Sequence, residues 1–166
     1  MVHSTKVEFR KLVTGYPSGS GNIVMIMGMW NYAIKAPDID ETTHFYVANM
    51  GAELRLSGVV FGCHYNLIRM GETRVLIFDK APYEEQYGWD LPPGFLHVVY
   101  EVDNHEEQVA QLRATGVRFL MEPQEIETAL GRRKIAFFES PNGIRTEVME
   151  IIEDWEDEVA GQAKSH

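Results

Sequence analysis

The chain has 166 residues, 45% of them hydrophobic and 24% charged, which suits one globular domain or two small halves sharing a core. A formal net charge of −10 argues against a nucleic-acid partner, because phosphate backbones demand a basic surface. Cys63 is the only cysteine, so no internal disulfide can form, and a reducing, cytoplasmic setting is expected. The first residues lack the basic, apolar and small-residue order of a signal peptide. The apolar run at residues 23–30 is far too short to span a bilayer, so no membrane partner is expected either.

In chain order, residues 1–27 read as an N-terminal extension with a loop, VTGYPSGSGN, that lacks the strand-glycine-helix context of a phosphate site. Residues 28–80 read as a first module. A short alternating strand passes through Asn31, and Asp38 or Asp40 then caps a helix. Ile39, Phe45, Tyr46 and Met50 form its predicted apolar stripe, and Gly51 suits a left-handed end. Antiparallel strands follow, with turns expected near Ser57-Gly58 and Gly71-Glu72. Residues 81–93 are a Pro-, Gly- and aromatic-rich linker whose Tyr83, Tyr87 and Trp89 either pack between the halves or stack on a planar ligand.

Residues 94–152 repeat the pattern. In the strand GFLHVVYEVD, Leu96, Val98, Tyr100 and Val102 fall on one face, and His97, Val99 and Glu101 on the other. Asn104 is the predicted cap of a helix with Val109 and Leu112 on its apolar face and Gly116 at its end. Further strands turn at Pro141-Asn142-Gly143, and residues 153–166 form an acidic tail. Each half is therefore β-α-β-β-β, and the predicted class is α+β, two βαβββ modules made by internal duplication.

The segments PDIDETTHFYVANMGAEL, LHVVYEVDNHEEQVAQLRATGV and FFESPNGIRTEVMEI, in this order, resemble the vicinal oxygen chelate superfamily over roughly residues 29–152. Glyoxalase I, methylmalonyl-CoA epimerase, extradiol dioxygenases and bleomycin-resistance proteins are members. The resemblance implies curved sheets around a cavity, a homodimer, and metal ligands on the first and last strands of each module. It puts His97 and Glu147 at two ligand positions for a divalent ion (Zn, Fe, Ni, Mn or Co). An imidazole nitrogen and a carboxylate suit such an ion. In the first module the corresponding positions hold Asn31, a weak amide ligand, and Leu76, which cannot ligate.

His64 shares a strand face with Asn66, and two polar residues on one face fit a cavity wall. The expected site therefore comprises Glu147 and His64 as catalytic groups, Asn31, Asn66 and Val99 against the substrate, and His97 with Glu147 on the metal. Strand alternation sends Asn31, His64, Asn66, His97, Val99 and Glu147 into one pocket, and Tyr32, Ile34, Val98 and Tyr100 against the helices. His44 and His105 are expected to be solvated. Residues 131–134, GRRK, read as a solvated hairpin corner or an anion-binding patch. Two functions stay open. One is a small-molecule metalloenzyme polarising vicinal oxygens, whether isomerase, epimerase or oxygenase. The other is a metal-free binding protein of the bleomycin-resistance type.

Overall fold

The computed structural model describes residues 24–157; the loop at residues 13–22, most of the N-terminal extension and the last nine residues of the acidic tail lie outside them. The elements are β1 (Ile26–Lys35), α1 (Ile39–Met50), β2 (Glu53–Val60), β3 (Cys63–Met70), β4 (Thr73–Phe78), α2 (Glu84–Tyr87), β5 (Gly94–Val102), α3 (His105–Ala114), β6 (Arg118–Thr128), β7 (Gly131–Ser140) and β8 (Ile144–Asp154). Two βαβββ modules are thus present. All eight strands join one sheet in the order β2-β3-β4-β1-β5-β8-β7-β6. Within each module the first strand lies parallel to the last, β1 to β4 and β5 to β8. The antiparallel β1–β5 pair joins the modules. The sheet curls so far that its two edge strands, β2 and β6, approach each other.

Both faces of this sheet are covered. On the concave side Leu67, Leu76, Phe78, Val99, Ile135 and Phe137 form the main core. On the convex side α1 packs over Ile68, Val75 and Ile77, while α3 packs over Ala136, Phe138 and Val148. A strand buried on both faces reads as a nearly continuous apolar run, which is the pattern of LIFD-type segments here. Asp38 caps α1 by accepting the Glu41 amide at 2.8 Å, and Asn104 caps α3 through the Glu107 amide at 3.1 Å. Gly51 ends α1 in the left-handed region, at φ 66°. No helix among the described residues is long and apolar enough to cross a membrane.

Several local expectations are corrected. Ser57 and Gly58 lie inside β2, and the turn is at Phe61-Gly62. The glycine at 58 answers to packing: a Cβ there would sit 2.7 Å from the Tyr65 ring. The stripe of α1 is rotated, with Ile39, Thr43 and Tyr46 inward and Phe45 and Met50 exposed. His105 is buried, its backbone amide donating to Glu150 at 2.8 Å, and burial pulls its imidazole pKa down. Arg133 is also buried, not solvated at a corner.

Asn66 explains the rotation of α1. Its side chain lies beneath the helix, donating to Thr43 Oγ1 at 3.0 Å and Asp40 Oδ1 at 3.1 Å and accepting from Ser57 Oγ at 2.6 Å. A buried amide bonded on both ends draws the polar Thr43 inward and turns Phe45 out. Asn66→Leu, which removes all three bonds at similar volume, should lower stability by about 1–3 kcal/mol in urea unfolding; an unchanged midpoint would show that apolar packing alone seats the helix. Cys63 is buried, and burial pushes its thiol up to about 11. At pH 8 the thiol stays protonated in the folded chain, so a disulfide reagent should label it only slowly until denaturant is added.

Candidate functional site

The register of the sheet assembles the site. Asn31 on β1 pairs with Val99 on β5, and Val99 pairs with Glu147 on β8, so the three stand in one row across the two modules. His97 lies two residues before Val99 on the same face, in a second row with Ala33 and Leu76. Asn31, His97, Val99 and Glu147 all line a cavity of about 60 Å³ on the concave side, walled by apolar groups such as Phe78, Ile135, Phe137 and Met149.

Two β-bulges set which side chains enter it. Between the pairs Met29–Tyr100 and Asn31–Val99, β1 has one extra residue, Trp30, which joins Asn31 at the cavity. Between Ala33–His97 and Ile34–Phe95 the extra residue is Leu96 on β5, which turns into the concave core instead of toward α3 as alternation predicts. Beyond the bulge Val98 faces the convex side as expected, and Tyr32 and Ile34 pack beneath α1, but Tyr100 is exposed instead of being packed against a helix.

His97 and Glu147 are 1% and 7% exposed, and His97 Nε2 lies 3.5 Å from Glu147 Oε2. The linker residue Tyr83, fully buried, places its hydroxyl 3.3 Å from His97 Nδ1 and 3.3 Å from the Leu96 carbonyl. Burial pushes the Tyr83 pKa up, so its hydroxyl keeps its proton. If that proton goes to Leu96, the Tyr83 oxygen accepts Nδ1–H, and Nε2 presents a bare lone pair toward Glu147. If it goes to Nδ1, Nε2–H points at the carboxylate. The 3.5 Å separation exceeds the ~2.8 Å of a charge-assisted hydrogen bond. It matches two donors of one tetrahedral ion, since bonds near 2.1 Å put neighbouring ligand atoms ~3.4 Å apart. Neither amide atom of Asn31 has a hydrogen-bond partner among the described residues. Its Oδ1 is therefore free to be a third donor, while Leu76 supplies none. No group of three His, Cys, Asp or Glu side chains suited to a metal occurs among the described residues.

The structure brings together Asn31, Val99, His97 and Glu147. It places His64 and Asn66 outside the cavity, on the convex face: His64 is exposed, and Asn66 is engaged beneath α1. Alternation sorts a strand into two sets but cannot say which set faces inward when both faces are buried; here Tyr65 and Leu67 point inward. Trp30, Tyr65 and Arg133 are not among the residues expected in the cavity, and Tyr83 reaches the site only through His97 Nδ1. A signal for Arg133 was present, because it shares strand parity with Ile135 and Phe137 on β7. No signal marked Trp30, which enters through a bulge.

No curated protein matches the chain in sequence. Among solved structures it resembles a hypothetical protein, BH1468, from Bacillus halodurans (TM-score 0.62, 21% identity, 76% of this chain and 95% of that one). It also resembles a variant methylmalonyl-CoA epimerase of Streptomyces coelicolor in complex with 2-nitronate-propionyl-CoA (0.64, 20%, 78% and 100%). A third is the methylmalonyl-CoA epimerase of Mycobacterium tuberculosis (0.63, 18%, 77% and 90%). At these identities the likeness is one of fold. Residues 22–148 match the family described as the Glyoxalase/Bleomycin resistance protein/Dioxygenase superfamily, and the chain belongs to that superfamily.

Proposed function

We propose that the chain is a small-molecule enzyme of the glyoxalase and dioxygenase type, working at the buried His97–Glu147 pair with a divalent metal ion. The observation that carries this reading is the pair itself: two strong, buried donors held 3.5 Å apart at the cavity, with the partnerless Asn31 amide in the same row as Glu147. Imidazole, carboxylate and amide oxygen fit a divalent ion that keeps positions open for a substrate. When bound, such an ion supplies Lewis-acid polarisation of adjacent substrate oxygens.

The chain's own residues supply the rest. Tyr83 orients the imidazole through Nδ1, so that Nε2 faces the cavity. Glu147 is the carboxylate at the cavity, and its uncommitted oxygen is the group that takes a proton from the substrate and returns it. Val99, Ile135 and Met149 exclude water, which strengthens each polar contact inside. Isomerisation, epimerisation and oxygenation share this beginning. A cavity of about 60 Å³ takes a compact reacting group, not a whole coenzyme A ester of the kind bound by the Streptomyces epimerase. A second reading, a metal-free binding protein of the bleomycin-resistance type, is favoured by one observation: Leu76 presents an apolar side chain in the row of His97.

Metal analysis of protein purified without chelator separates the two. A stoichiometric transition ion is expected in the wild type. His97→Ala and Glu147→Ala should each weaken its binding roughly tenfold or more, with His44→Ala and His64→Ala unaffected. Equal metal content in all four variants would leave only the binding-protein reading. Tyr83→Phe, which keeps the ring and removes the hydroxyl, should weaken metal binding by about tenfold; wild-type affinity in this variant would reduce Tyr83 to a packing role.

A further inference from the structure

Among the described residues, both amide atoms of Asn31 and Arg133 Nε are buried without a hydrogen-bond partner. Both residues line the same cavity. Buried polar groups are nearly always paired, so a cluster of unpaired ones around one cavity marks where a ligand's polar atoms go.

Arg133 decides what kind of ligand. It is 2% exposed, and its guanidinium carbon lies 5.9 Å from the centre of the Trp30 ring. Nη1 donates to the backbone carbonyls of Arg132 and Glu153, and Nη2 donates to Asp154 at 3.1 Å. Nε–H is left over. It shares an edge of the guanidinium with Nη2, the edge on which arginine takes a carboxylate. The half-exposed Asp154 is screened by water and leaves the cavity side of the guanidinium positive. Arg133 pairs with Ile151 and Phe137 with Glu147, so Arg133 stands four residues along β7 from the Glu147 row, ~13 Å of strand. The cavity therefore has two poles, one for a cation at His97 and Glu147, in whose row the Asn31 amide stands, and one for an anion at Arg133.

We propose that the Arg133 end is a carboxylate subsite. The Nε–H edge of Arg133 takes the carboxylate of a small monoanion, and the far end of the ligand is turned toward His97, Glu147 and the Asn31 amide. A neutral carbonyl would satisfy one prong only, and a cation would meet the guanidinium charge. About 60 Å³ is room for roughly four waters, which corresponds to an acid of about four to six heavy atoms. This subsite rests on the small-molecule reading of the cavity but not on the metal.

The test uses the full chain after chelator treatment, titrated at constant ionic strength with acetate and glycolate, and with acetamide as the neutral isostere of acetate. The Arg133 Nε–H resonance in proton–nitrogen NMR should move saturably with either carboxylate and stay still with acetamide. Calorimetry should show at least tenfold weaker carboxylate binding in Arg133→Gln than in the wild type. Arg133 also holds the end of β8, so this variant can lose stability; the wild-type resonance reports on the subsite independently of that. An unmoved Nε–H resonance, or undiminished binding by a folded Arg133→Gln, overturns the subsite. Binding lost in His97→Ala but kept in Arg133→Gln also overturns it, by placing the anion at the other pole, while the metal reading stands.

Discussion

The antiparallel ladder between β1 and β5 turns two modules into one sheet, and the rest of the molecule depends on it. Each of these strands is also the parallel partner of its own module's last strand, so their union lets β4, β1, β5 and β8 run side by side across the centre. Asn31, His97 and Glu147 come from these central strands. The same union makes the sheet wide enough to curl, and curling brings the edge strands β2 and β6 together over the concave face. A cavity follows from closure, and side chains alternate into it with period two.

Closure also decides the electrostatics. At one end the linker crosses the barrel mouth, where buried Glu84 accepts from Lys35 Nζ at 2.9 Å and from the Leu91 and Ala81 amides at 2.6 and 2.9 Å. Such a buried pair is tolerable because its remaining lone pairs are taken by backbone donors. The same linker seats Tyr83 on His97. After β8, buried Glu156 bonds Arg74 at 2.8 Å and Arg55 at 3.3 Å, tying β2 and β4 to the chain's end. Buried among apolar walls, each unpaired group at the cavity carries more weight than it would on a surface.

Much of the architecture was legible in the sequence because it follows from local chemistry. Asp38 and Asn104 cap helices through their own side-chain oxygens, Gly51 accepts a left-handed turn, and Gly71-Glu72 and Pro141-Asn142-Gly143 turn where turn residues cluster. The β-α-β-β-β repeat is visible from such punctuation. His97, Val99 and Asn31 could be assigned to one face because a strand's period is strict. Strictness was also the weakness: a single bulge residue, Trp30 or Leu96, reverses the parity on one side of it, and neither bulge is marked by glycine or proline.

What the amino-acid order determined by itself is the set of elements, their caps and turns, and the parity of side chains within each strand. Only the tertiary structure decided which parity faces the cavity, because both faces of this sheet are buried and hydrophobicity cannot tell a helix-covered side from a ligand-lined one. His64 and Asn66 went to the helix side for that reason, and Tyr65 and Arg133 to the cavity. The meeting of His97 with Glu147 and Tyr83 likewise belongs to the fold: it needs the β5–β8 register and the linker's path, both of which are long-range contacts that no local preference encodes.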